Sequence, residues 1–250
     1  MLTACDLQDK NTEEVKRLYE QETLSWWIRG RREIIRQVLR GSLPPAQPIR
    51  VADIGCGAGT MLSVLQAYGP VTAVDVSPLA VRLASLRGYA HVVFGSVTSL
   101  PLASRSYGLV AVLDVLEHVD DDACAVRECA RVLVRGGMLV VTVPAGPGRF
   151  GVHDVALGHR RRHDGQGLRR LVEGAGLSVE RMSHFNLMLL FPAVLYRMLH
   201  RTGKHASADP LVLPGPLNAV AYSLLLGEAA LLRRMCLPAG VSLVCVARKM

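Results

Sequence analysis

The sequence predicts an α/β fold: a mostly parallel sheet of seven strands with helices on both faces. Three observations predict it. Near-continuous apolar runs at RVADIG (50–55), PVTAVDV (70–76), HVVFGSV (91–97), YGLVAVLDV (107–115) and GGMLVVTVP (136–144) recur with helical segments between most of them. Such strands are apolar on both sides, as in a parallel sheet covered on both faces. The first run ends in three glycines at alternate positions, Gly55, Gly57 and Gly59, the turn that carries a ligand at the carboxyl edge of such a sheet. Two further strand-like runs, about Leu177 to Phe185 and VSLVCVARK at the end, complete the seven.

The elements follow in order. Residues from Asn11 to about Arg40 suit one helix, with Trp26, Trp27, Ile28, Ile34, Ile35, Val38 and Leu39 on an apolar face and GSLPP ending it. This segment, residues 1–45, is expected to be an N-terminal helical lid on a domain spanning 46–250. After the fifth run, a helix over about Gly165 to Ala175 leads through GAGL into the sixth strand. Residues 187–239 are rich in leucine and proline and read as an apolar helical insertion before the last strand. Its segments 187–199 and 217–232 fall short of the ~20 uninterrupted apolar residues of a membrane span, and Pro192, Arg197 and Glu228 interrupt them. They fit either packed cap or dimer-interface helices or a surface touching lipid, so a monomer and a homodimer are both open.

Half of the 250 residues are apolar, enough for one full core and against disorder. The net charge of +8 comes largely from arginine, with Lys10, Lys16, Lys204 and Lys249 the only lysines. It favours anionic partners without naming one. The six cysteines show no CxxC pair and no zinc spacing, which fits a reducing cytoplasm and predicts no structural metal. The N-terminus carries acids where a secretory leader has a basic start. HRRRH (159–163) is short and lacks interleaved aromatics, so no nucleic-acid partner is expected.

The glycine turn narrows the ligand. A nicotinamide fingerprint places its third glycine where this chain has Thr60, and a phosphate loop needs a lysine that is absent nearby. What remains is D-x-G-x-G-x-G, in which Asp53 would repel a pyrophosphate and suit a cation. Twenty-two residues on, Asp75 ends the second strand, where a carboxylate accepts both hydroxyls of a ribose. A nucleoside with a cationic tail has the chemistry of S-adenosylmethionine.

With these residues the chain resembles the class I S-adenosylmethionine-dependent methyltransferases, on a Rossmann-like sheet, from about Arg50 to Arg248. DIGCGAG is similar to their cofactor loop, VTAVDVS to the ribose-binding strand end, LDVLEHV (113–119) to the fourth-strand segment and RVLVRGGMLVVTVP (131–144) to the approach to strand five. The resemblance implies that Asp53, Gly55, Cys56, Gly57 and Gly59 line the methionine portion and that Asp75 binds ribose. Val76 and Ser77 would flank the adenine, with Val97 and Leu113 nearby. Ser96 stands where the family often has an aspartate for the adenine amino group.

Methyl transfer is an in-line displacement that needs alignment, dryness and, for a protic acceptor, a base. By resemblance, His118 and Glu117 lie beside the acceptor, His118 either acting on it or capping the helix begun by DDD (120–122). The loop PAGPGRFGVHDVALGHRRRHD (144–164) is similar to the HD-x(4)-GH-x-RR motif of a subset of these enzymes, which also carry a segment like WWIRGRR (26–32). His153, Asp154 and His159 are candidates for a hydrogen-bonded base or polarising group, and their spacing is not characteristic of a metal site. Arg161 and Arg162 either hold a substrate anion or carbonyl or tether the loop. The lid would place Trp26, Trp27 and Arg29 near the pocket, Trp27 and Arg29 toward the cofactor and Trp26 toward the acceptor. The expected acceptor is a small biosynthetic molecule presenting an O, N or C nucleophile; the alternative is a lipid-linked or polyprenyl acceptor at a membrane surface.

Overall fold

The computed structural model describes residues 19–43, 48–188 and 213–250, and of Val152 and His153 only the backbone. The described residues build a seven-stranded sheet, ordered β3-β2-β1-β4-β5-β7-β6. Its strands are β1 (Val51–Ile54), β2 (Val71–Asp75), β3 (Ala90–Phe94), β4 (Tyr107–Leu113), β5 (Leu133–Pro144), β6 (Leu177–Phe185) and β7 (Ser242–Lys249). All neighbours are parallel except β7, which runs antiparallel to both β5 and β6. Strand order reverses between β1 and β4, which opens a crevice at their carboxyl ends.

The helices are α1 (Trp26–Ser42), α2 (Leu62–Leu65), α3 (Pro78–Ser85), α4 (Asp122–Val132), α5 (Val152–Ala156), α6 (Gly165–Glu173) and α7 (Gly215–Leu232). The period of two along each strand divides the core. Val51, Leu109, Ala111, Val140, Val244 and Val246 face one layer, with Ile34, Ile35, Val38 and Leu39 of α1 and Leu225, Ala229 and Leu232 of α7. Ala52, Ile54, Val110, Val112, Leu139 and Val141 face the other, with Val126 and Cys129 of α4 and Leu168 and Val172 of α6. Asp53 alternates with Ala52 and Ile54, so it points into the layer that holds α1.

The single helix expected over 11–40 is interrupted where it can be seen. A helical turn ends at Gln21, and α1 starts afresh at Trp26 because the Oγ of Ser25 accepts from the N–H of Ile28 at 3.2 Å. Residues 11–18 lie outside the described residues, as do 189–212 of the expected insertion. The helix in the described part of that insertion is α7, eighteen residues with a mean hydropathy of 1.3, long and apolar enough by composition to cross a membrane. Here it lies along α1, and the two axes approach closely because residue 30 is glycine: a Cβ there would sit 2.3 Å from Cδ1 of Leu225. Glu228 is buried on α7, where its carboxylate accepts from the backbone N–H of Asn186.

Candidate active site

At the carboxyl end of β1 the chain must turn sharply, and the backbone shows why glycine is needed. Gly55, Gly57 and Gly59 have φ of +71°, +53° and +74°, where other residues are strained. The N–H groups of Gly55 and Cys56 donate to the carbonyl of Val74 at 2.7 and 3.2 Å, tying the turn to β2. A Cβ on Gly55 would lie 2.4 Å from Cγ2 of Val115, so the turn packs against the segment after β4. At Gly57 the same construction meets nothing within 4 Å: that side of the turn is open.

Asp75 closes the second strand. Its Oδ2 accepts from the N–H of Gly57 and its Oδ1 from that of Ser77, both at 2.8 Å, so β2's carboxylate and β1's turn form one unit. Burial raises its carboxyl above the ordinary range, against the pull of these donors. Ser77, with Pro78 behind it, caps α3, so Asp75 is not the cap. Val76 beside it is 60% exposed, an apolar face at the strand end. Ser96 shares a hydrogen bond of 2.9 Å with Thr98, and Val97 and Leu113 pack against the core.

Asp53 is 3% exposed, and its carboxyl is pushed up to about 7 by burial and then by the charge of Asp75, with Arg31 pulling the other way. Burial drives the Cys56 thiol far up as well, which leaves it unreactive.

Arg31 is the cation that the sequence reading missed. Its Nη2 lies 2.5 Å from Oδ2 of Asp114 and donates to Oγ1 of Thr142 at 3.1 Å, and Thr142 donates in turn to Oδ1 of Asp114 at 2.8 Å. Asp114 takes a left-handed φ of +55° directly after β4. The Nε of Arg31 is buried with no partner among the described residues. Arg29, the residue expected over the cofactor, instead stacks its guanidinium 4.0 Å above the ring of Tyr222 on α7. The reason is helical periodicity: position 31 shares the inner face with Ile28, Ile34 and Ile35, and position 29 does not. Trp26 and Trp27 meet edge to face at 5.9 Å and pack half-buried on the α1 layer of the core.

A buried and a half-buried acid, an arginine with a free buried donor and an open glycine turn suit a ligand with a cationic centre, a ribose and a carboxylate. S-adenosylmethionine has all three.

Beyond β4, Leu116–His118 form one 3-10 turn that buries Glu117 fully. Burial, and then His159, lower the His118 imidazole to about 4, so it is neutral at pH 7. The two rings meet edge to face with centroids 4.9 Å apart. His118 does not cap α4; Oδ1 of Asp121 does, accepting from the N–H of Cys124 at 2.7 Å. Asp154 is buried and accepts from Nε of Arg162 at 2.7 Å and the N–H of Gly151 at 2.9 Å, while Nδ1 of His159 lies 3.0 Å from its Oδ1. Burial alone would raise that carboxyl, but the bonds from His159 and Arg162 outweigh it and hold it well below the carboxylate range. Asp154 therefore orients His159 rather than taking a proton itself. The side chain of His153 lies outside the described residues.

Of the two roles expected for Arg161 and Arg162, the contacts made among the described residues are those of a tether. Arg162 is buried on Asp154 and the carbonyl of Ala145, and Arg161 pairs with Asp122 at 2.9 Å and with the carbonyl of Asp120 at 2.8 Å. Arg160 donates its N–H to the carbonyl of Glu117 at 2.7 Å, and His163 its N–H to that of Pro144 at 3.0 Å. These guanidiniums and amides bolt the 157–163 loop to the ends of β4 and β5.

Residues 52–141 match the family model described as a methyltransferase domain. The chain is 36% identical over 100 residues to a ubiquinone biosynthesis O-methyltransferase of Xanthomonas oryzae pv. oryzae, which covers 37% of this chain and 42% of that protein. The chain thus spans about two fifths of that relative's length. Among solved structures, it superposes on one chain of the complex between the Haloferax volcanii Trm112 methyltransferase activator and a methyltransferase, with a TM-score of 0.64 at 18% identity over 97% of this chain and 96% of that one. A Thermotoga maritima S-adenosylmethionine-dependent methyltransferase superposes with a TM-score of 0.60 at 18% identity, over 98% and 99% of the two chains. The structures share the fold, and the family model lies on the strands that carry the glycine turn and both acids. Residues 52–141 thus match a methyltransferase domain, on a fold shared with S-adenosylmethionine-dependent methyltransferases, and S-adenosylmethionine is the cofactor that this match implies.

Proposed function

We propose that the protein transfers a methyl group from S-adenosylmethionine to a hydroxyl of a small biosynthetic acceptor. The observation that carries this reading is the grouping of Glu117, His118 and His159 just past the strand end that packs on the glycine turn. An acceptor that must lose a proton needs such a group, and a neutral amine attacks without one. The likeness over 100 residues to an enzyme named ubiquinone biosynthesis O-methyltransferase supports oxygen over nitrogen or carbon. In this reading Asp53 faces the cationic part of the cofactor, Arg31 its carboxylate and Asp75 its ribose. Trp26 and Trp27, with α1, keep water from the transfer line. Residues 1–45 then act as the lid, and α7 is the roof that holds it down.

A second reading rests on α7. Leu217, Val220, Leu224 and Leu231 are exposed along it, which favours an acceptor with a lipid or polyprenyl tail presented at a membrane surface. One assay addresses both. Purified protein is incubated with S-adenosylmethionine and a panel of phenols, alcohols and amines with and without prenyl tails, and S-adenosylhomocysteine and methylated product are followed by mass spectrometry. Methyl ethers from untailed acceptors are expected. Turnover of amines alone would refute the hydroxyl reading, and turnover of tailed acceptors alone, together with flotation on anionic vesicles, would establish the second.

A further inference from the structure

We propose that Glu117, His118 and His159 form a binding site for one divalent first-row transition-metal ion. One ligand atom from each residue lies within 4.8 Å of the others, close enough for small side-chain adjustments to bring all three onto one ion. The donor set is two imidazoles and a carboxylate, which suits Zn2+ and its neighbours and leaves a coordination position open. Loop spacing around His153, Asp154 and His159 does not show this site, because two of its three donors come from the turn after β4.

The surroundings are built as the outer layer of a metal site is built. A ligating histidine commonly donates its second ring N–H to a carboxylate or a backbone carbonyl, which fixes the ring. His159 is placed to do so here: its Nδ1 sits 3.0 Å from Oδ1 of Asp154. That leaves Nε2 of His159 for the shared space. Asp154 is itself pinned by Arg162 and the Gly151 N–H. The bond from the Arg160 N–H to the carbonyl of Glu117 holds the two ligand-bearing segments in register. Glu117 is fully buried, unlike the exposed acids that cluster on surfaces without a metal.

The use of the site rests on the hydroxyl-acceptor reading. An acceptor oxygen in the open position is acidified and releases its proton to solvent. Its lone pair then forms the O–CH3 bond as the S–CH3 bond breaks, and that electron pair stays on sulfur as the neutral thioether.

The test uses the full chain, stripped with a chelator and titrated without acceptor. Co2+ is followed by its visible ligand-field absorption and Zn2+ by calorimetry. One ion per chain is expected. His159→Ala and Glu117→Gln should abolish saturable binding, and Asp154→Asn should weaken it ~10–100-fold by freeing the ring it orients. Circular dichroism and S-adenosylmethionine titration identify variants that fail to fold; the three substitutions are independent, so one failure leaves two readouts. No stoichiometric binding by the wild type, or binding by His159→Ala and Glu117→Gln equal to wild type, overturns the proposal, and the cluster then acts as a base directly. Stoichiometric metal with no methylation of hydroxyl acceptors leaves the site standing and removes the functional reading instead.

Discussion

At Asp53 two fields oppose each other: burial and Asp75 favour the neutral acid, and Arg31 favours the carboxylate, with the balance at about 7. A carboxyl raised this far keeps a proton in the cofactor-free fold that the unfolded chain has lost. Between about pH 4 and 7 this group's contribution to stability therefore falls as pH rises, by up to ~1.4 kcal/mol per unit, and is constant below that window. A cation bound beside it reverses the preference, so cofactor binding must expel the proton. The affinity for S-adenosylmethionine is expected to rise up to ~10-fold per unit from about pH 5 to 7 and then to level. Titration calorimetry in buffers of different ionisation enthalpy reads both the affinity and the released proton. Asp53→Asn should give a weak, pH-independent affinity, and Arg31→Ala should move the levelling point to higher pH. A flat wild-type profile would show that Asp53 does not meet the cation.

The glycine turn separates two uses of one residue type. Gly55 and Gly57 both need a left-handed backbone, yet only Gly55 has a neighbour, Val115, against the place a side chain would occupy. Gly55→Ala is expected to cost about 2–5 kcal/mol, from the left-handed backbone and the overpacked valine together. Gly57→Ala should cost only the backbone part, about 1–2 kcal/mol. It should nonetheless lose more cofactor affinity than stability, because its methyl projects into the open side of the turn. Urea denaturation beside calorimetry distinguishes the two. Equal effects of Gly57→Ala on both would mean that the open side is not where the cofactor lies.

Across the described residues, α1 and α7 form one layer rather than two appendages. Elements nearly 200 residues apart meet where Gly30 lets Leu225 approach, and Asn218 reaches back to donate to the carbonyl of Leu24 at 3.0 Å. The N-terminal side is also latched to the glycine turn: Glu22 pairs with Arg32 and Arg87, and those arginines donate to the carbonyls of Thr60 and Ala58. Gly30→Ala should overpack Leu225 at a cost of about 1–3 kcal/mol, offset by about 1 kcal/mol of helix propensity. Leu225→Ala alone should cost about 2–5 kcal/mol. The double mutant should be more stable than the sum predicts, by about 0.5–3 kcal/mol. Strict additivity in denaturant would mean that the two helices do not meet at this point in solution.

The parallel sheet, its strand boundaries and the cofactor turn were legible in sequence because they depend on local properties: uninterrupted apolar runs, glycines where φ must be positive, and acids at two strand ends. Ser25 was missed as a helix start because an apolar stripe on both sides hid a cap whose signal is a single hydroxyl. The choice between Arg29 and Arg31 was within reach of helical periodicity, which aligns 31 with the buried isoleucines. Other features had no local signal. Asp114, Thr142 and Arg31 converge from the end of β4, β5 and α1, Arg161 finds its partners at Asp120 and Asp122 on another segment, and Arg162 needs the loop to fold back on Asp154 and the carbonyl of Ala145. Sequence alone determined which ligand chemistry the turn after β1 accepts. Only the tertiary structure decided which charges are spent on the protein itself and which donors, such as Glu117, His118 and His159, are brought to face one another, because a charge's partner is set by distance in space and not along the chain.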